Sequence, residues 1–265
     1  MIIRSENLGS IKDSVKYDVR GECIPAWQAI EAIQKASSEE YWVVTQPDHA
    51  RLSGSIAASF DRKKFPLLTP EVVAAIGLHD EGWAQFEGSA AAMRKPARGS
   101  DGKPMTFLDA APGTFLKAWA GSIHAASKTS PAGEYIVSAH FSLLAERRLK
   151  HVVDPPEDTQ PILDFSAHEA ERQAELIGKS GVKVNDLHQL LTILQFCDLI
   201  SLAICSGSNA TLEFPQDLGA GNLRMQSGVG EYRLHPSPVL AAGFTFPAFR
   251  LASEPLPQIV EFRLS

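Results

Sequence analysis

Apolar residues recur along this chain at the three- and four-residue spacing of amphipathic helices, which predicts a mainly helical protein. Thr45 and Thr69 each precede a proline by one or two positions, and a hydroxyl before an early proline is a typical helix start. Gly82 is expected to end the second of these helices. The pattern predicts helices over 25–35, 45–60, 69–82, 115–126, 130–150, 167–178 (capped by Ser166) and 185–205.

Strand patterns are confined to the two ends of the chain. Residues 1–3 and 41–44 are short apolar runs, β-branched or aromatic, that can pair with each other, so residues 7–40 between them are interpreted as an insertion. After Thr211 the chain consists of short strand-like runs broken by glycine and proline. We expect this tail, 211–265, to form a small sheet against the helices.

The whole chain, 1–265, is expected to form a single domain, because its length suits one large core. Residues 84–113 are rich in glycine, proline, alanine and charge and have no sustained period, which predicts a long loop or lid. The fold class expected from these patterns is mainly α, with a helical core, short N-terminal strands and a small C-terminal β region.

Composition narrows the classes of partner. With 44% hydrophobic and 21% charged residues the chain is ordinary for a globular protein, and its net charge of −6 gives no field that attracts nucleic acid or an anionic membrane. Small-molecule partners are favoured, and a homo-oligomer stays possible. We expect a cytoplasmic protein without disulfides, because the three cysteines are an odd number, no signal peptide is recognisable, and no segment reaches the ~18 apolar residues of a membrane span.

Two histidines and an aspartate point towards a metal site. In the predicted second helix His79 shares a face with Val72 and Ile76, and Asp80 follows it directly. His49 lies on the apolar face of its own helix, which gives a second inward imidazole. A single inward histidine is usually a hydrogen-bonded core residue, but an imidazole beside a carboxylate suits a borderline or hard divalent cation.

Asp198 lies in the most apolar predicted helix, where an ionised carboxylate costs several kcal/mol unless a cation or donors compensate it. A metal would compensate it directly. The alternative is a narrow solvent-facing stripe formed by His188, Thr192, Gln195 and Asp198, which their spacing also permits.

Three further residues are candidates for catalytic roles. His140 shares a helix face with Ile136 and Leu144, as a group lining the site or as an ordinary core histidine. Glu81 follows the His-Asp doublet and could accept a proton from water, or be a surface residue. Arg51 is near the site in sequence and could contact a phosphate.

The predicted lid carries four basic residues in an otherwise acidic protein. Closing such a loop could bring positive charge onto a phosphate, although charges in loops are usually just solvated. These residues are Arg94, Lys95, Arg98 and Lys103.

Together these motifs resemble the HD-domain superfamily of metal-dependent phosphohydrolases and, within it, a bacterial family of unknown function. The matching segments are Gln46-Pro47-Asp48-His49-Ala50, His79-Asp80-Glu81-Gly82-Trp83, Ser138-Ala139-His140-Phe141 and Phe196-Cys197-Asp198-Leu199-Ile200-Ser201-Leu202. The resemblance implies that His49, His79, Asp80 and Asp198 ligate one or two divalent ions, which could be Fe, Mn, Ni, Zn or Mg.

The function expected from this resemblance is metal-dependent hydrolysis of a small phosphorylated metabolite or nucleotide. The bound ion would lower the pKa of a water molecule and polarise the phosphoryl oxygen. Two alternatives stay open: a non-catalytic module that binds metal and ligand, and a di-iron oxygenase of HD type, since mixed histidine and carboxylate sites also hold iron pairs.

Overall fold

The structure is a computed structural model that describes residues 1–4, 23–35, 42–87, 97–100, 102–219, 221–228, 230–250 and 258–265. Most of the predicted insertion, 7–40, lies outside the described residues, and so do Arg94 and Lys95 of the predicted lid.

Hydroxyl side chains begin three of the helices, as their positions predict. Thr45, Thr69 and Ser130 each accept a hydrogen bond from the backbone N–H three residues further on, at 3.0, 3.4 and 3.0 Å. The helices are α1 (Ala26–Lys35), α2 (Gln46–Ala58), α3 (Pro70–Gly77), α4 (Ala84–Glu87), α5 (Pro112–Ala126), α6 (Pro131–His151), α7 (Pro156–Ser180) and α8 (Val184–Cys205). Two short 3₁₀ helices span Glu81–Trp83 and Phe107–Asp109.

Two predicted helix boundaries are wrong. The helix that begins after Thr69 ends at Gly77 instead of Gly82, so the His-Asp doublet lies in the turn after it. Ser166 is not a cap, because α7 runs unbroken through it and its hydroxyl donates to the carbonyl of Ile162 at 3.0 Å. Pro161 does not stop this helix, since in the second turn it deprives only one early carbonyl of its donor.

The strands of the two chain ends join in one sheet. They are β1 (Ile2–Arg4), β2 (Ile24–Pro25), β3 (Trp42–Val44), β4 (Leu212–Phe214), β5 (Leu223–Gly228), β6 (Glu231–His235), β7 (Ala242–Arg250) and β8 (Gln258–Leu264). Their order is β1-β3-β7-β8-β6-β5-β4-β2, with parallel pairing between β6 and β8 and between β2 and β4 and antiparallel pairing elsewhere.

The mainly α fold class is therefore wrong, and the protein is a mixed α/β protein with a large sheet. The predicted pairing of the two N-terminal strands is present, with Ile2 opposite Val44. What the local pattern missed is that β3 also pairs with β7, about 200 residues away, where Val43 lies opposite Phe249. Local periodicity contains no information on such distant pairing.

Helix α8 is the central helix of the core, where it packs against α2 and α6. Contrary to the expectation from sequence, it is long and apolar enough to pass a length and hydropathy test for a membrane span. However, 72% of its apolar window is buried inside the protein, as in the core helix of a soluble protein. Its neighbours α2 and α6, together with the turn after α3, carry the other candidate site residues.

Candidate metal centre

A close crossing of α2 and α3 brings the first two histidines together. The helices meet at Gly54 and Gly77, so closely that a Cβ on Gly54 would lie 2.7 Å from the Cα of Gly77. His49 lies five residues before this crossing on α2 and His79 two residues after it. Their ring centroids are 5.0 Å apart at an interplanar angle of 90°.

The turn after α3 fixes the orientation of His79. Its Nδ1 donates to the carbonyl of Ile76 at 2.8 Å, so that its Nε2 is the nitrogen available to a metal ion. Gly82 closes the turn against α5, with its N–H donating to the Ser122 hydroxyl at 3.0 Å, and a side chain at Gly82 would clash with the carbonyl of Ala118. This glycine is therefore needed for close packing and does not end a helix.

Two serines fix the orientation of His49 in the same way. Its Nδ1 lies 2.7 Å from the Ser201 hydroxyl, which itself donates to the carbonyl of Asp198 at 2.8 Å. Ser53 adds a third contact, 2.7 Å from the same hydroxyl. Because the Ser201 proton is directed to that carbonyl, His49 Nδ1 is the donor to Ser201, and its Nε2 is the nitrogen that faces Asp80 and is available to a metal ion. Neither serine could be given a role from the sequence pattern.

The Nε2 atoms of His49 and His79 face the carboxylates of Asp80 and Asp198. His49 Nε2 lies 3.0 Å from Asp80 Oδ2 and 3.6 Å from Asp198 Oδ1. His79 Nε2 lies 3.3 Å from Asp198 Oδ1 and 3.8 Å from Asp80 Oδ2. The ligand atoms of His49, His79 and Asp198 all lie within 4.8 Å of one another, so these three residues form a group that could hold a metal ion. Asp80 is not part of this group, but its Oδ2 contacts the Nε2 atoms of both histidines.

The site is buried but not sealed. Both imidazoles are fully buried, Asp80 is 8% exposed, and the side chain of Asp198 is 16% exposed. The polar stripe on α8 is also present, since exposure decreases along it from His188 to the half-buried Gln195 and Asp198. The stripe leads from the surface to the site, while compensation of Asp198 by a metal ion stays a prediction.

Burial and opposite charge determine the protonation of the site. Burial disfavours the cation of His79, but the charges of Asp80 and Asp198 outweigh it and raise the pKa of His79 to about 9. Burial likewise opposes the ionised form of Asp198, and its hydrogen bond and attraction to His79 lower its pKa to about 2. Without a metal, His79 is therefore an imidazolium beside two carboxylates.

His140 lies at the open side of the group. It is 4% exposed, its ring centroid is 5.7 Å from that of His79, and its Nε2 is 3.8 Å from Asp198 Oδ2. Burial lowers the pKa of His140 to about 4, so the ring is neutral at pH 7. Among the described residues its Nδ1 has no hydrogen-bond partner. A buried imidazole nitrogen without a hydrogen-bond partner costs free energy unless a ligand or an ion binds to it.

The other predicted site residues lie at the surface. Arg51 is 58% exposed and pairs with Asp48 at 2.8 Å, while its second nitrogen is 3.4 Å from Glu81. Within the described residues no contact joins Arg51 or Glu81 to the four ligands. Of the predicted lid, Arg98 donates to the carbonyl of Gly102 at 2.6 Å and Lys103 to that of Lys35 at 3.2 Å, so neither is shown reaching the site.

A cavity of about 470 Å³ opens beside Asp198 and His140. It lies between α1, α6, α8 and the chain around β4. The sequence analysis missed it, although Leu144 and Arg147 follow His140 on one helix face and Gln195 precedes Asp198 by three residues. Its lining consists of Pro25, Ala26, Trp27, His140, Leu144, Arg147, Gln195, Asp198, Leu199, Glu213, Phe214, Pro215, Gln216 and Asn222.

Fold and site thus describe a mixed α/β protein with a histidine and carboxylate group next to a cavity. A family model described as "Protein of unknown function (DUF3891)" matches residues 32–247, and the chain belongs to this family. Searches of curated proteins and of solved structures found no match.

The resemblance to the HD-domain superfamily, with the narrower family placed inside it, was wrong. The family match gives no HD assignment, and the eight-stranded sheet is not the mainly helical fold that the resemblance implied. A histidine, a His-Asp doublet and a late aspartate define a ligand set, and unrelated folds can present the same set. The resemblance therefore gives no support to a phosphohydrolase activity, which stays an untested prediction.

Proposed function

We propose that His49, His79, Asp80 and Asp198 hold a divalent metal ion and that the protein is a metal-dependent hydrolase of a small molecule bound in the adjacent cavity. The observation that carries the proposal is the spacing of the ligand atoms. Ligands about 2.1 Å from an ion in a tetrahedron lie about 3.4 Å from one another. The nitrogen–oxygen distances here, from 3.0 to 3.8 Å, bracket that value.

The donor set favours a borderline cation. Two imidazole nitrogens and two carboxylate oxygens suit Zn²⁺, Fe²⁺, Mn²⁺ or Ni²⁺ better than Mg²⁺, which prefers oxygen ligands alone. One ion satisfies the four ligands. A second ion would need His140 and the second oxygen of Asp198, which lie 3.8 Å apart.

Hydrolysis suits this arrangement because the centre opens onto a cavity at Asp198 and His140. A bound divalent ion would acidify a water molecule and neutralise charge that develops on the substrate. At the cavity side the neutral ring of His140 offers one N–H and one lone pair, so it can hold a substrate oxygen or a water molecule. Roles for Glu81 and Arg51 stay predictions, and their surface ion pair gives them no support.

Metal content is the first test. We expect purified protein to contain about one ion per chain by elemental analysis, and Asp198→Asn to lose it, because a buried ligand oxygen is replaced by an amide. Asp164→Asn on the exposed face of α7 is the matched control and should keep the ion. Equal metal content in wild type and Asp198→Asn would refute the metal site.

Turnover is the second test. The metal-loaded protein should hydrolyse at least one member of a panel of phosphomonoesters, phosphodiesters, nucleotides, carboxylic esters and amides, and Asp80→Ala should abolish the activity. The small phosphorylated substrate expected from the sequence stays a prediction within this panel. Metal binding without any turnover would favour the non-catalytic module, and oxygen consumption by an iron-loaded sample would favour an oxygenase.

A cytoplasmic location belongs to the same proposal. Cys23, Cys197 and Cys205 are all free thiols, as is usual in a reducing compartment, and the most apolar helix is buried in the protein. Cell fractionation tests it. The absence of nucleic-acid and membrane partners and the possible homo-oligomer stay predictions.

A further inference from the structure

The cavity beside the candidate metal centre has a polar group at each end. His140, Leu144 and Arg147 line it from one face of α6, at spacings of four and three residues. Seven residues along a helix correspond to a rise of about 10 Å. The backbone positions of His140 and Arg147 are therefore separated along the cavity by about the length of a small metabolite.

Arg147 is an exposed residue that lines the cavity, and among the described residues it has no anionic partner. Its guanidinium lies over the ring of Trp27, with 5.5 Å between its carbon and the ring centroid. Among the described residues no carboxylate pairs with it. The next residue, Arg148, contrasts with it, because its two nitrogens bind Asp154 at 2.7 and 2.8 Å. A guanidinium stacked on an aromatic ring keeps its edge free for a planar or tetrahedral anion.

Besides Asp198, the carboxylate of Glu213 lines the cavity, and it already has partners. Glu213 accepts a hydrogen bond from the side chain of Asn222 at 3.0 Å and lies 3.9 Å from Arg224. It therefore does not neutralise Arg147. The cavity has a cation at one end whose charge is not balanced within the described residues.

The cavity also contains a buried amide oxygen that lacks a hydrogen-bond partner among the described residues. The side-chain oxygen of Gln216 is buried and, among the described residues, accepts no hydrogen bond. Gln216 lines the cavity, as does the half-buried amide of Gln195. A ligand that carries an N–H or O–H group would donate a hydrogen bond to the Gln216 oxygen. A purely apolar ligand would leave this buried oxygen without a hydrogen bond, which costs free energy.

We propose that this cavity binds an elongated organic anion, whose carboxylate or phosphate pairs with Arg147 and whose other end reaches Asp198 and His140. That this anion is the substrate rests on the proposed function. Its binding does not, because Arg147 lies at the end of the cavity away from the metal ligands.

Binding to metal-free protein tests the proposal independently of the metal. The phosphate arm of the experiment uses phenyl phosphate, glucose 6-phosphate and adenosine monophosphate. The carboxylate arm uses hydrocinnamate, glutarate and citrate. The neutral arm uses benzyl alcohol, glucose, adenosine and hydrocinnamamide. Dissociation constants are measured by calorimetry in wild type, Arg147→Gln, Arg147→Lys and the control Arg62→Gln, an exposed arginine outside the cavity.

We expect at least one anion to bind, its affinity to fall about tenfold or more in Arg147→Gln, to recover partly in Arg147→Lys, and to stay unchanged in Arg62→Gln. The arm that binds identifies the anion as phosphate or carboxylate. The proposal is overturned if no anion binds at about 10 mM, if neutral analogues bind equally well, or if Arg147→Gln binds like wild type. Loss of metal binding with Arg147-dependent anion binding intact would refute the proposed function alone.

Discussion

The crossing of α2 and α3 predicts opposite outcomes for two glycine substitutions that look equivalent in sequence. In Gly54→Ala the new Cβ would lie 2.7 Å from Gly77 Cα and 3.0 Å from Gly77 N, both backbone atoms that cannot rotate away. Carbon atoms pack best at about 3.5–4.0 Å, so the helices must move apart by roughly 1 Å. In Gly77→Ala the nearest atom would be Gly54 Cα at 3.7 Å, which is an ordinary contact.

The expected magnitudes follow from these distances. Overpacking costs about 1–3 kcal/mol, and a clash with backbone atoms that cannot rotate away belongs to the upper part of this range, about 2–3 kcal/mol. The better helix propensity of alanine returns about 1 kcal/mol, so Gly54→Ala should lose roughly 1–2 kcal/mol of unfolding free energy. This corresponds to a fall in Tm of about 2–8 °C for a protein of this size. Gly77→Ala should be neutral or slightly stabilising.

Thermal unfolding followed by circular dichroism, in the presence of a chelator, measures both variants without a contribution from metal. Gly54→Ala should also bind metal more weakly, because the same crossing sets the distance between His49 and His79. If Gly54→Ala were as stable as wild type, or if Gly77→Ala were the more damaging of the two, the close crossing would be refuted.

Three further predictions concern the site and the thiols. Ser201→Ala should lower metal affinity about 10- to 100-fold in a competition titration, because His49 loses the hydroxyl that orients it, and an unchanged affinity would contradict this. The metal-free protein should lose on the order of 3 kcal/mol of unfolding free energy as pH rises from 6.5 through about 9. The reason is that folding raises the pKa of His79 to about 9, so the stabilising proton is lost from the folded protein over this range. A Tm that does not change with pH in the presence of chelator would contradict this prediction. In native protein a thiol reagent should label the half-buried Cys23 and not Cys197, which is fully buried and has a raised pKa, and equal labelling rates would contradict the core position of α8.

Residues whose role is set by a local pattern could be predicted from the sequence. Thr45 and Thr69 cap helices because a hydroxyl and an early proline act within one turn. His49 faces inward because it shares a helix face with apolar residues three and seven positions away, and burial of Asp198 follows from the apolar helix around it. A period of 3.6 residues contains this information.

Residues whose role depends on distant contacts could not be predicted. Ser201 matters only because His49, 152 residues earlier, lies 2.7 Å from it. Gly82 was expected to end a helix because glycine often does so, and its role in packing against α5 becomes visible only with both segments in place. The sheet was underestimated for the same reason, since β3 pairs with a strand near the other end of the chain.

The charge balance of the centre distinguishes a metal site from a buried ion-pair network. Without a metal, the His79 cation faces the carboxylates of both Asp80 and Asp198 in a buried place. A divalent ion that replaces the His79 proton balances the charges of both carboxylates.

The distances favour the same conclusion. In a buried ion-pair network the charge-assisted hydrogen bonds would be short, about 2.7–2.9 Å. Here His79 Nε2 is 3.3 Å or more from either carboxylate, while its Nδ1 makes a 2.8 Å bond away from them, to Ile76. His49 shows the same arrangement, with its shorter bond on the outer side. The Nδ1 hydrogen bonds thus fix the orientation of both imidazoles, and the Nε2 atoms lie from the carboxylate oxygens at the distances expected between ligands of one ion.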